Sequence, residues 1–155
     1  MPEEKQLLAF ERAGKRFAIP LEDLQGFYGL HQSEKTKNQV CFGRVPARGH
    51  WVNVVDLFPN KKYSRTACAV VIERGEARIG IASDLVEGII AAPNSYSPSR
   101  STLDCAHPEI ISGAFEQFGK SYTLIDLDKL FDWAATHLNA PDSGNVAAVA
   151  IELLA

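Results

Sequence analysis

Phe10-Glu11-Arg12, Arg16-Phe17-Ala18-Ile19, Asp23-Leu24 and Gly26-Phe27 form a series that this chain writes twice. The second version runs Ile72-Glu73-Arg74, Arg78-Ile79-Gly80-Ile81, Asp84-Leu85 and Gly88-Ile89. The offset is 62 in the first blocks, 61 at the aspartate and 62 again at the glycine. A further pair follows. Gly43, Gly49 and Asp56-Leu57 have the same spacing as Gly113, Gly119 and Asp126-Leu127. Two different patterns recurring in one order indicate a duplicated unit, and self-similarity of this kind governs the fold. With two copies, the expectation is a pseudo-symmetric pair of small subdomains rather than a solenoid.

The repeated unit reads as β-structure. Leu7–Phe10 and Arg16–Ile19 are short apolar runs around Ala13-Gly14-Lys15, a hairpin signal. Ala69–Ile72 and Arg78–Ile81 repeat the pattern around Gly75-Glu76. Trp51–Val55 and Tyr122–Ile125 are β-branched and aromatic runs, each after a glycine turn. Strands this short and evenly spaced predict an all-β fold of small barrels or a sandwich. Leu127, Leu130, Phe131, Ala134 and Leu138 fall on one stripe of a short C-terminal helix, with Asp126 placed to cap its start. In the first copy Pro59 stops the matching segment almost at once. The approximate repeats are 7–58 and 69–131 within a domain spanning 5–138. Residues 139–155 read as a linker followed by an apolar tail that docks on the body, contacts a partner or frays.

Composition narrows the function. The chain has 155 residues, a formal charge of −3 and 46% apolar residues, the profile of a globular chain able to bury its own core. The slightly acidic balance speaks against nucleic acid as a partner, because such proteins show a basic face. No apolar stretch reaches the length of a membrane span, so no direct membrane insertion is expected. The polar, acidic start Met1-Pro2-Glu3-Glu4 does not read as a signal peptide. Cys41, Cys68 and Cys105 lie far apart without a CxxC, and read as reduced thiols. The four histidines lack ligand spacing, so no metal or other cofactor is expected.

Catalytic signatures are missing in the same way. Gly113 to Ser121 imitates the phosphate loop GxxxxGK[ST], but five residues separate its glycines and a strand-like run follows. A turn explains it, as it explains Gly43 and Gly49. Cys105 beside His107 sits in a connector without the partners of a catalytic thiol. Asp56, Asp126 and Asp128 stand at strand ends, where aspartate caps or closes turns. Lys61-Lys62-Tyr63-Ser64-Arg65 reads as a solvated loop or a grip on a partner. The expectation is a non-enzyme; a small enzyme built on Cys105, His107 or Gly119-Lys120-Ser121 is the rival.

The order of these elements resembles the CheW-like family, the bacterial chemotaxis coupling proteins, over about Lys5 to Phe131. The likeness is carried by the N-terminal hairpin, Gly43-x4-Arg48-Gly49-x6-Asp56-Leu57, Val70-Val71-Ile72 with Ile79-Gly80-Ile81, Asp84-x3-Gly88, and Ile111-Ser112-Gly113 leading to Leu124–Leu130. Pro46, Ala47 and Asn53 depart from the family's usual Asn, Leu and Pro. The resemblance implies two five-stranded, Src-homology-like barrels about a pseudo-twofold, with strands free to cross between them. It implies a cytoplasmic adaptor of two-component signalling, recruited to membrane-bound receptor arrays. Its partners would be the regulatory domain of a CheA-type histidine kinase and the cytoplasmic tip of a chemoreceptor. Arg48 and Gly49 are the receptor-side candidates, and the alternative for Arg48 is a brace between the two barrels. An alternative role is an accessory protein of another chemosensory array, such as one for twitching motility, that competes for or caps array positions.

Overall fold

The structure is a computed structural model and describes residues 5–30, 34–35, 43–59, 61–93 and 108–137. These form eleven strands and one α-helix. The strands are β1 (Gln6–Arg12), β2 (Lys15–Pro20), β3 (Leu24–Gly29), β4 (Glu34–Lys35), β5 (Gly43–Ala47), β6 (His50–Val55), β7 (Cys68–Arg74), β8 (Ala77–Ser83), β9 (Leu85–Ala91), β10 (Ile111–Gln117) and β11 (Lys120–Ile125). Helix α1 is Leu127–His137. Cys41, Cys105, His31, His107, Leu138 and the expected linker and tail lie outside the described residues.

One sheet has the order β10-β11-β2-β1-β9, the other β3-β7-β8-β6-β5-β4. Mapping each strand onto its repeat turns the first order into the second, with two-residue β4 added at the edge. These are the two expected five-stranded barrels, and their strands do cross. Each barrel takes one hairpin from one half of the chain and three strands from the other. The register repeats as well. Leu7 faces Pro20 as Ala69 faces Ala82, and parallel pairing puts Leu124 beside Ala18 as it puts Val54 beside Gly80. The bulges opposite Ala9 and Val71 both fall beside a glycine, Gly88 and Gly26. Bulges bend and twist a strand, which a coiled sheet requires.

The central strands are apolar on both faces because both faces are buried. In β1, Leu8 and Phe10 enter a core that includes Phe17, Ile19, Val70, Ile72, Ile79 and Ile81, and so joins the two sheets. Leu7 and Ala9 point the other way, into the interior of their own barrel with Phe115 and Tyr122. Ala69 and Val71 do the same in the other barrel with Val45 and Val52. Side chains of period two therefore fill two cores at once. Helix α1 covers the shared core with Leu127, Leu130 and Trp133. Asp126 accepts the Lys129 N–H at 3.2 Å, the expected cap. Trp133 joins the buried stripe, which the apolar spacing alone did not single out.

The parallel contact between β6 and β8 leaves little room at Gly80. A Cβ built on Gly80 would lie 3.2 Å from Val54 Cγ2 and 3.5 Å from the Asn53 carbonyl oxygen. We expect Gly80→Val to lower stability by about 1–3 kcal/mol through overpacking, read as a reduced midpoint in urea denaturation.

Candidate functional site

Arg12 is the largest fully buried side chain in the described protein. It continues the Leu8–Phe10 row of β1 and reaches the far barrel. Its Nε and Nη2 donate to the two carboxylate oxygens of Asp56, at 3.0 and 3.1 Å. Nη1 donates to Asp84 Oδ2 at 3.1 Å. Two N–H groups remain for three carbonyls: Nη1 donates to Lys62 at 3.2 Å, and the second Nη2 hydrogen is shared by Phe58 and Lys61, each at 2.7 Å. The Tyr63 ring lies over the guanidinium, 4.2 Å from its centroid, and the Tyr63 hydroxyl donates to Asp56. Asp56 also accepts the Phe58 N–H at 2.9 Å, closing the turn after β6. The planar donor fork of arginine is suited to this arrangement, and a lysine could not reproduce it.

The segment read as a solvated or partner-gripping loop, Lys61–Arg65, is therefore a strap. Its charged side chains are exposed, but its carbonyls turn inward to the arginine. Spacing in a sequence reports side chains, and this contact is made by backbone.

Charge balance holds the cluster together. Burial opposes the Arg12 charge, but Asp56 and then Asp84 outweigh it and hold its pKa above the ordinary value. Burial likewise pushes the Asp84 carboxyl up. The N–H groups of Ala13 and Ser64 and the Arg12 guanidinium overcome this and hold it below the usual carboxylate range. Tyr63 is pushed far up by burial and by Asp56, so it stays a neutral donor.

The repeat of Arg12 is Arg74, and it meets a different fate. Arg74 Nε donates to Asp23 Oδ2 at 3.0 Å, the counterpart of the Asp84 contact. Its Nη1 pairs with Asp128, because Asp126, the counterpart of Asp56, is committed to the helix cap. Its side chain remains 37% exposed, against 0% for Arg12.

Arg48 and Gly49 form the two-residue turn between β5 and β6, with φ of +47° and +83°. Positive φ at both positions is the hairpin geometry that matches strand twist. Arg48 is exposed, and no described residue offers it a hydrogen bond or carboxylate. The arginine bracing the two barrels is Arg12 instead, which the sequence reading passed over. The signal available was the Glu-Arg that closes each first strand; its two copies looked alike. The counterpart turn is Phe118-Gly119, at +56° and +73°, and Lys120 and Ser121 then open a strand. A hairpin turn, not a phosphate-binding loop, thus accounts for the glycine spacing.

The other candidates bring nothing together. Cys68 is half-buried, and burial raises its thiol pKa despite a hydrogen bond with Ser83, which disfavours the reactive thiolate. Among the described residues no three His, Cys, Asp or Glu converge on a metal position. Within the same residues no helix is long and apolar enough to cross a membrane.

Two predictions follow from the contrast between the arginines. Arg12→Ala should cost about 3–5 kcal/mol, because it leaves Asp56 buried without its counter-charge. Arg74→Ala should cost about 1 kcal/mol or less, as expected for a solvated pair. Urea denaturation of the two variants measures the difference. For pH, a carboxyl held low in the folded state adds stability above its unfolded pKa of about 3.9 and loses it as pH falls through the folded value. Asp84→Asn should therefore be less stable than the parent at pH 7, and the gap should shrink below about pH 4. Melting curves across that range read it directly.

Comparison with known proteins agrees with this architecture. The family model described as a CheW-like domain matches residues 6–135. Among solved structures the chain is similar to the scaffolding protein TtCheW from Thermoanaerobacter tengcongensis, at 20% identity and a TM-score of 0.70, covering 82% of this chain and 87% of that one. No curated protein sequence matches.

Proposed function

This chain belongs to the CheW-like domain family, and from that premise we propose that it couples chemoreceptors to a CheA-type histidine kinase by binding alone. The family consists of non-catalytic adaptors in chemotaxis signalling. The match over residues 6–135 carries the reading, because it spans both barrels and both hairpin turns. In this role the protein holds the regulatory domain of the kinase on one side and the cytoplasmic tip of a receptor on the other. It works in the cytoplasm, at receptor arrays. Modest individual affinities are enough, since an array supplies many contacts at once.

Arg48 and Gly49 are the receptor-side residues in this proposal. The turn projects the guanidinium from a rigid hairpin, and no described residue neutralises it. A planar cation with five donors suits a hydrogen-bonded interface. Left-handed backbone at a non-glycine residue costs about 1–2 kcal/mol, and asparagine tolerates it better than arginine.

Titration of the intact chain with a kinase regulatory domain and, separately, with a receptor cytoplasmic fragment tests the role. No binding to the kinase domain at high micromolar concentration would overturn the kinase half. Arg48→Asn keeps the turn and removes the charge. It should leave the melting temperature unchanged or raised and weaken receptor binding about tenfold, the worth of one well-placed charge-assisted contact. Unchanged affinity would remove Arg48 from the site.

A further inference from the structure

Arg48 sits on a two-residue turn, and such a turn makes the flanking residues Ala47 and His50 a hydrogen-bonded pair. The next pair out, Pro46 and Trp51, is then non-hydrogen-bonded, the kind in which opposing side chains come closest. Proline fits there, because its missing N–H would not have pointed at the partner strand. Alternation sends Val45, Ala47, Val52 and Val54 into the barrel and puts Arg44, Pro46, Trp51 and Asn53 on the opposite face. On that face Trp51 is buried. The guanidinium carbon of Arg44, its diagonal neighbour across the strands, lies 5.3 Å from the centroid of its ring.

The other copy shows what the turn needs and what it does not. Phe118-Gly119 has the same left-handed backbone as Arg48-Gly49. Glu116 faces Ser121 there as Pro46 faces Trp51, and Ala114 stands at the position of Arg44. Glu116 and Ser121 are exposed. The turn therefore forms without a buried aromatic clamp beneath it. The clamp of Arg44, Pro46 and Trp51 belongs only to the hairpin that carries Arg48.

We propose that Trp51, held by Arg44 and Pro46, is a positioning residue for Arg48: it stiffens the hairpin so that the guanidinium meets the receptor in one orientation. The inference rests on the receptor-side role of Arg48. An arginine on a fraying hairpin has to be ordered when the partner binds, which weakens the complex. One that is ordered beforehand avoids that loss.

Trp51→Thr removes the ring and keeps a strand-forming residue. Trp51→Phe keeps a ring and loses no hydrogen bond, since the indole N–H has no acceptor among the described residues. Trp51→Leu repeats the test if the threonine chain does not fold. Each intact chain is titrated with a receptor cytoplasmic fragment, alone and combined with Arg48→Asn, and its amide exchange is followed. Trp51→Thr should weaken receptor binding about fivefold and speed exchange at Ala47 and His50, and Trp51→Phe should restore both. In the Arg48→Asn background Trp51→Thr should have no further effect, because it acts through the arginine. The inference is overturned if Trp51→Thr binds as the parent does, if the two losses add, or if exchange quickens throughout the chain rather than at the turn. Receptor binding indifferent to Arg48→Asn sinks the Arg48 assignment and this inference with it. A response to Arg48→Asn alone sinks only the positioning role.

Discussion

One guanidinium ties the molecule together. Arg12 grows from a strand of one sheet and accepts its charge balance from Asp56, at the end of a strand of the other, and from Asp84, at the turn where the chain crosses back. It also gathers three carbonyls of the strap that follows β6. A buried charge is costly unless every donor is used, and here each is aimed at an oxygen. The barrels, the crossover and the strap thus meet at one side chain.

That placement is compatible with a shared apolar core because the duplicated strands bury both faces. The two halves of the chain exchange hairpins, so they cannot be separated without opening strand pairs and fold as one unit. The cation cluster lies at the edge of this core, next to Phe58, whose ring is tilted against Phe17 at 6.3 Å. Apolar packing supplies the bulk of the stability, and the polar cluster specifies which arrangement is adopted.

Duplication supplied two equivalent arginines, and divergence after the sixth and eleventh strands gave them different work. Pro59 blocks a helix in the first copy, and the chain folds over Arg12 with its carbonyls inward. In the second copy Asp126 caps a helix, which consumes the carboxylate and leaves Arg74 half in solvent. The same divergence packs Tyr63 against the interior of one barrel and lays helix α1 over the shared core.

By itself, the sequence determined the doubling, the tight hairpins and the capped helix, because these are written in residues close together along the chain. Gly14 and Gly49 mark turns, Asp126 marks a helix start, and the offset of 62 marks the repeat. Strands β3, β5, β9 and β10 were less legible, since Gly26, Pro46, Gly88 and Gly113 interrupt their alternation. Only the tertiary structure decided that strands exchange between barrels, and that Arg12 rather than Arg48 forms the brace. Both outcomes depend on pairings between residues 44 to 106 positions apart, where Arg12 meets Asp56 and Phe17 meets Thr123. Local propensity carries no information at that distance; burial and the need to satisfy every buried donor do.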